Sequence, residues 1–338
     1  MWERYHILEK GKQMATIVDV AKSAGVSKST VSRFISGKGY VAKDVQKKIE
    51  KAIEELAYVP NEVARSLTQK KSKLIGLLLP DISNPYFPML AKGVEEYFYE
   101  VGYQVILGNV KSNNEIEESY IESFSMQNVA GIITANSENE NSKLKTFNNP
   151  VVMTDRAYKE SEYGVVSDDF MGGKLSAQEI LKTHPKKILV VKGPKGLNSL
   201  EERFNGMVQV LEGKIAFDVY QSHSFDFGEV EQDAKIIFEQ FKETDSMICP
   251  SDIHAIALLH EALKRNFSVP EDIQIIGYDD IPMSKFLYPA LSTIRQPAYK
   301  IGMEAAKLLH ALIDKRPVTE KKIMLPVTYI ERETTRRK

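Results

Sequence analysis

Residues 16–33 read Thr16-Ile-Val-Asp-Val-Ala-Lys-Ser-Ala-Gly-Val-Ser-Lys-Ser-Thr-Val-Ser-Arg33, two short helices around a glycine. Thr16 is an N-cap residue, and Asp19, three positions on, can reach back to it as in a capping box. Ile17, Val20, Ala21 and Ala24 recur at helical spacing and define one buried face. Gly25 supplies the turn, where a left-handed backbone penalises any side chain. Ser27 caps a second helix whose Val26, Thr30, Val31 and Phe34 pack inward, which leaves Lys28, Ser29, Ser32 and Arg33 pointing out. An ordinary helical hairpin with a solvated face fits this pattern too. A second helix showing small polar and basic residues is, however, the helix-turn-helix arrangement that enters a major groove.

The charge distribution favours the groove. Residues 14–72 hold eleven Lys and Arg against six Asp and Glu, a surplus of five, although the whole chain carries −1. A basic head on an acidic body points to a polyanion as partner. The 338 residues suffice for two or three domains. The single cysteine, Cys249, excludes a disulfide framework and most zinc modules, and its apolar neighbours mark it as a core thiol. No apolar run is long enough to span a bilayer and the first thirteen residues lack a signal-peptide core, so a cytoplasmic location is expected. Residues 1–13 are expected to be an extension without a fold, with Met14 as a candidate start.

The head is expected over residues 14–60. A loop, Ser36-Gly-Lys-Gly-Tyr40, follows the second helix, with Lys38 and Tyr40 placed to touch phosphates. Val45, Ile49, Ala52, Ile53 and Leu56 predict a third helix from about Lys43 to Ala57, ended by Tyr58-Val-Pro60. Asn61 would cap a helix of about two turns to Leu67, too short to be stable alone in water, and residues 61–72 form the linker. From Lys73 apolar runs and helical segments alternate: strands at 74–79, 103–107, 129–134, 151–154, 187–191, 247–249 and 274–278, helices at 89–99, 116–127, 172–182, 200–211, 230–241, 254–264 and 299–313. This is a doubly wound α/β pattern long enough for two similar lobes.

Ligands of such sheets bind beyond the carboxyl ends of the strands. Asp81, Asn84, Tyr86 and Phe87 follow the first strand, Asp155 and Arg156 the strand at 151–154, Asp252 that at 247–249, and Asp279 and Asp280 that at 274–278. Polar groups interleaved with aromatic rings suit a sugar. Asp168-Asp169 and Asp279-Asp280 raise the possibility of acid/base or metal chemistry. Neighbouring loop residues often point apart, however, and either Asp168 or Asp169 fits a cap of the next helix. Gly193-Pro-Lys-Gly196 lacks the Lys-Ser/Thr of a phosphate loop, and no nucleophile elbow or zinc motif is present. No catalytic residue, metal or cofactor is predicted.

These segments together closely resemble the lactose-repressor family of bacterial transcription regulators, from about Thr16 to Glu331. Besides residues 16–33, the resemblance rests on Tyr58-Val-Pro-Asn-Glu-Val-Ala-Arg-Ser-Leu67, Ile75-Gly-Leu-Leu-Leu-Pro-Asp-Ile-Ser-Asn-Pro-Tyr-Phe87, Ser167-Asp-Asp-Phe-Met-Gly-Gly173, Arg203-Phe-Asn-Gly206, Ile276-Gly-Tyr-Asp-Asp280 and Leu291-Ser-Thr-Ile-Arg-Gln296. The local wording is nearest the ribose and sucrose branch. The resemblance implies an all-α helix-turn-helix head and a two-lobe core like periplasmic sugar-binding proteins, with three crossing strands. The first lobe would take about 73–165 and 296–325, the second about 166–295 and 326–332.

By the same resemblance, Lys28, Ser29 and Arg33 occupy the positions that read bases, Arg33 suiting guanine and Lys28 either guanine or phosphate, while Ser27, Thr30 and Ser36 sit where phosphates are held; Thr16 and Tyr40 are expected among the DNA-binding residues. Asn61, Ala64 and Leu67 belong to a hinge helix, in which Leu67 wedges into the minor groove. Effector positions fall on Asn84, Tyr86, Phe87, Asp155, Arg203, Phe225, Asp252, Asp279 and Gln296. Arg203 and Asp279 are expected to clamp neighbouring hydroxyls from opposite lobes. Ser251 departs from the asparagine of lactose-type members. The implied protein is a homodimeric repressor on a palindromic operator, its affinity set by a small sugar of the ribose or sucrose/fructose type closing the lobes. No tetramer-forming heptads follow Thr328. The alternatives are a catabolite regulator that uses a phosphorylated carrier protein as corepressor, and a sugar-binding protein that does not bind DNA.

Overall fold

The computed structural model describes residues 15–37, 39–58, 72–111, 113–135, 143–155 and 163–337. Two compact units divide near residue 70. The first is a helical trio. Helix α1 (Ile17–Ala24) opens with the capping box: the Thr16 hydroxyl accepts from the Asp19 amide, and the Asp19 carboxylate accepts from the Thr16 amide at 2.9 Å. Gly25 closes it at φ 65°. Helix α2 (Lys28–Ser36) starts on Ser27, whose hydroxyl accepts from the Thr30 amide at 3.2 Å. Helix α3 (Lys43–Glu55) follows without a side-chain cap. Val20, Ala21, Ala24, Val31, Val41, Ile49 and Ala52 form the shared core, and Ile17, Val26, Phe34, Val45, Ile53 and Leu56 pack against it. The 1–13 extension and the hinge residues Asn61, Ala64 and Leu67, like Lys38 and Arg156, lie outside the described residues.

The second unit carries two six-stranded sheets. The first lobe is built from β1 (Leu74–Leu79), α4 (Tyr86–Glu100), β2 (Gln104–Asn109), α5 (Asn114–Met126), β3 (Gly131–Thr134), β4 (Val151–Thr154) and β5 (Gly164–Ser167). The chain then crosses into α6 (Asp169–Leu181), β6 (Ile188–Lys192), α7 (Asn198–Leu211), β7 (Phe217–Gln221), α8 (Phe227–Gln240), β8 (Ser246–Ile248), α9 (Asp252–Lys264), β9 (Gln274–Asp279) and β10 (Ser292–Arg295). It returns for α10 (Ala298–Ile313) and β11 (Lys322–Leu325), and crosses once more into β12 (Thr328–Ile330). Strand order is β11-β5-β4-β3-β1-β2 in one sheet and β12-β10-β9-β8-β6-β7 in the other. All neighbours are parallel except β10 and β12, which run antiparallel. Strand β5 keeps Val166 and Ser167 in the first sheet, two residues past the boundary expected from sequence.

The apolar run of β1 is buried from Ile75 to Leu79 because helices cover both faces of the sheet. Close helix crossings fix each lobe. A Cβ on Gly93 of α4 would lie 2.1 Å from the Tyr299 carbonyl oxygen of α10, and one on Gly302 2.1 Å from that of Leu90. The second lobe repeats the device with α6 and α7: Gly173 would meet the Arg203 carbonyl at 1.9 Å and Gly206 that of Phe170 at 2.1 Å. Cys249 is fully buried in the second lobe, where burial pushes its thiol pKa up.

Candidate effector site and nucleic-acid interface

On the head, Lys28, Ser29, Ser32 and Arg33 are exposed along α2, as the helical period requires once Val31 is turned into the core. The Ser27 hydroxyl lies 2.8 Å from those of both Ser29 and Thr30, so three hydroxyls cluster at the start of α2. That end also presents free backbone amides and the positive end of the helix dipole, a setting for a phosphate. Ser36 donates to the Arg33 carbonyl at 3.2 Å. Tyr40 stands 86% exposed. Thr16 is an exposed cap.

In the core, a small cleft, partly open to solvent, lies between the lobes. Asn84, Tyr86, Phe87 and Asp155 line it from the first lobe; Leu197, Ser199, Leu200, Arg203, Phe225, Ser251, Asp279 and Gln296 complete it. The turn after β1 sets the first wall: the Asn84 side chain accepts from the Tyr86 amide at 3.1 Å, and Tyr86 packs edge-on to Phe87 at 5.2 Å. Tyr86 is 2% exposed, burial lifts its pKa well above 10, and among the described residues its hydroxyl has no hydrogen-bond partner. A buried donor of this kind is costly unless a ligand or water meets it.

The opposite wall is tied to itself. Arg203 donates through Nε to Asp169 at 2.7 Å and through Nη1 to the Pro250 carbonyl at 2.9 Å, and lies over the Tyr278 ring at 3.8 Å. Burial opposes its charge, but Asp169, with Asp279 and Asp155 nearby, outweighs this and raises its pKa further. Burial pushes Asp169 up to about 6 against the pull of Arg203, so the pair is ionised at neutral pH. Asp279, at φ 117°, accepts from Gln296 at 2.7 Å, and Gln296 in turn accepts from Ser167 at 2.5 Å. Burial drives the Asp279 pKa well up, with Arg203 opposing.

A family model for bacterial regulatory proteins, lacI family, matches residues 16–61, and one for the periplasmic binding protein-like domain matches residues 182–335. The chain is 48% identical over 326 residues to the ribose operon repressor of Lactococcus lactis subsp. lactis, covering 96% of this chain and 99% of that one. The chain belongs to the lacI family of bacterial regulatory proteins. Its fold matches that of the lac repressor dimer bound to operator and the anti-inducer ONPF, with TM-score 0.87 at 24% identity over 95% of this chain and 99% of the other. A LacI family transcriptional regulator from Enterococcus faecalis V583, solved with bound ribose, aligns at TM-score 0.70 and 27% identity, covering 78% and 98%.

For this lacI-family chain, eight of the nine residues expected at the effector site line the cavity; Asp252 does not. Its Oδ2 accepts from the Ile281 amide at 2.9 Å and the Ser284 hydroxyl at 2.5 Å, and its Oδ1 from Thr293 at 2.6 Å. The carboxylate is spent on holding the turn after β9. The expectation that Arg203 and Asp279 clamp from opposite lobes is also corrected: β9 belongs to the second sheet and α7 packs on it through Met207, Val210 and Leu211, so both come from one lobe. Of the two neighbouring acids, Asp168 caps α6 by accepting from the Met171 amide, while Asp169 turns inward to Arg203. Asp280 is likewise spent on Arg295 and Arg332. Leu197, Ser199 and Leu200 were missed. Their signal was the loop after β6, which lies at a strand's carboxyl end like the others. Among the described residues, no group of three His, Cys, Asp or Glu is placed to hold a metal, and no helix is long and apolar enough to cross a membrane.

Proposed function

We propose that this chain is the repressor of a ribose-utilisation operon, a homodimer that binds a palindromic operator and whose operator affinity is set by ribose held between the lobes. The cavity carries the reading. It combines the aromatic faces of Tyr86, Phe87 and Phe225 with the polar groups of Arg203, Asp279, Gln296 and Asn84. This matches a molecule with hydroxyls around its rim and an apolar ring face. The similarity to a ribose operon repressor over nearly the whole chain supports ribose over sucrose or fructose.

In this reading Lys28, Ser29 and Arg33 contact bases, with Thr16, Ser27, Thr30, Ser36 and Tyr40 at the phosphates and Asn61, Ala64 and Leu67 in the minor groove. Sugar and operator are then linked: a ligand that favours one lobe arrangement shifts the dimer toward the state with that arrangement. The cavity binds and no chemical step is assigned to it.

The test titrates purified protein with ribose, sucrose, fructose and their phosphates while following the Tm, then repeats operator footprinting with the sugar that binds. Ribose should raise the Tm by several degrees at saturation and alter operator occupancy. A shift only with another sugar would replace ribose as effector. No shift from any would instead favour a phosphorylated carrier protein as corepressor. Arg33→Ala should abolish operator selection while sparing the ribose shift; unchanged footprints would remove the groove assignment.

A further inference from the structure

Behind Ser251 and Phe225, both on the cavity wall, runs a buried chain of hydrogen bonds that none of the effector contacts accounts for. The Ser251 hydroxyl, which caps α9, lies 2.8 Å from Nδ1 of His254. Nε2 of His254 lies 3.1 Å from the Ser222 hydroxyl. Ser222 meets Oδ2 of Asp233 on α8 at 2.5 Å, and the Tyr220 hydroxyl donates to its Oδ1 at 2.6 Å. The edge of one ring meets the face of the other where His254 and Phe225 touch, with centroids 5.4 Å apart. Ser222, Ser251 and His254 are all at least 98% buried.

Proton counting gives this chain a direction. A carboxylate only accepts, so Asp233 takes the single proton of Ser222; the rival acceptor, the Ser224 carbonyl, is farther away at 3.2 Å. Ser222 is then an acceptor toward His254, which must carry its proton on Nε2. Burial pushes the His254 pKa down to about 4 against the opposing charge of Asp233, so the ring is neutral and Nδ1 is bare. Ser251 therefore gives its proton to Nδ1. One of its lone pairs faces the His254 amide as the α9 cap, which leaves the oxygen one remaining capacity, to accept.

We infer that His254 is a positioning residue that makes Ser251 an accept-only contact on the cavity wall, so that the effector must present a hydroxyl as donor there. An asparagine at this position would offer both a donor and an acceptor. The serine, fixed by the histidine behind it, discriminates between them, and His254 also braces the Phe225 ring.

Two measurements test this, and only the second rests on the ribose reading. In sugar-free protein labelled with ¹⁵N at histidine, long-range ¹H–¹⁵N spectra should show His254 as the Nε2–H tautomer, unchanged from about pH 5.5 to about pH 8. A proton on Nδ1, or a ring that titrates in that range, overturns the inference whether or not ribose binds. His254→Gln assigns the resonance; if that variant does not fold, replacing the other five histidines does so. In the second measurement ribose is replaced by analogues with fluorine at one hydroxyl at a time, since fluorine accepts but cannot donate. One analogue should bind wild type about tenfold more weakly, and Ser251→Ala should erase that penalty while leaving the others. Penalties identical in the two proteins overturn the inference.

Discussion

Tyr86 and Arg203 face one cavity from different lobes, and they meet it in different states. Arg203 arrives with its partners already made: Asp169, the Pro250 carbonyl and the face of Tyr278. Tyr86 arrives with a buried hydroxyl that has no partner among the described residues. The second lobe is thus a cradle whose polar groups are set before any ligand enters, at little reorganisation cost. The first lobe brings a group whose desolvation is offset only when a ligand or water completes it.

The two walls differ most in what the loss of Arg203 would cost. Arg203→Ala leaves Asp169 buried beside Tyr278 without its counter-charge, a change that typically costs about 3–5 kcal/mol. Urea unfolding should show a large drop in midpoint, and the ribose-induced Tm shift should vanish. An unchanged midpoint would mean that the second wall is not held by this pair. Acid acts on the same wall through His254. Its ordinary pKa of 6.5 falls to about 4 in the fold. As pH drops through that window the unfolded chain takes up a proton that the folded chain refuses, so stability is lost by about 3 kcal/mol. His254→Gln lacks this linkage, so the stability difference between wild type and variant should change by that amount between pH 7 and pH 4; parallel curves would contradict it. Tyr86→Phe is the mildest change. Without sugar the variant should be as stable as wild type or slightly more so, since it removes an unsatisfied group. Ribose affinity should fall about tenfold, measured by calorimetry. Destabilisation of the free protein would show that the hydroxyl already has a partner.

Local chemistry made the head legible. Thr16, Asp19, Gly25 and Ser27 do their work within three residues of where they stand, and the structure uses each as its spacing implies. The central strands were legible for a related reason, since burial on both faces leaves an unbroken apolar run. The strands at 164–167, 217–221, 292–295, 322–325 and 328–330 are not among those the sequence predicts. Phe217–Gln221 and Lys322–Leu325 are edge strands with partly exposed faces, and Gly164–Ser167 is buried but opens on a glycine and closes on a serine, which leaves only Val165 and Val166 as an apolar signal. Helix α4 starts at Tyr86, three residues before the expected Met89, on an Asn84 side chain that organises the turn. In the site, strand ends predicted most of the lining but not its economy. Asp252 and Asp279 look alike in sequence, each an acid after an apolar run. Only the fold reveals that Ser284 and Thr293 claim the first, while the second remains at the cavity. The pairing of Asp169 with Arg203 spans 34 positions, a distance over which no local pattern operates.

The solitary, sealed thiol of Cys249 has a practical consequence. Because burial keeps it protonated and out of reach, a maleimide dye will ignore it, and any cysteine placed on the surface becomes the one reactive handle. Exposed Met126 in the first lobe and exposed Lys264 in the second offer two such places. A donor and acceptor fluorophore there would turn the opening and closing of the lobes into an optical signal, read from single molecules without removing a native residue that matters to the fold.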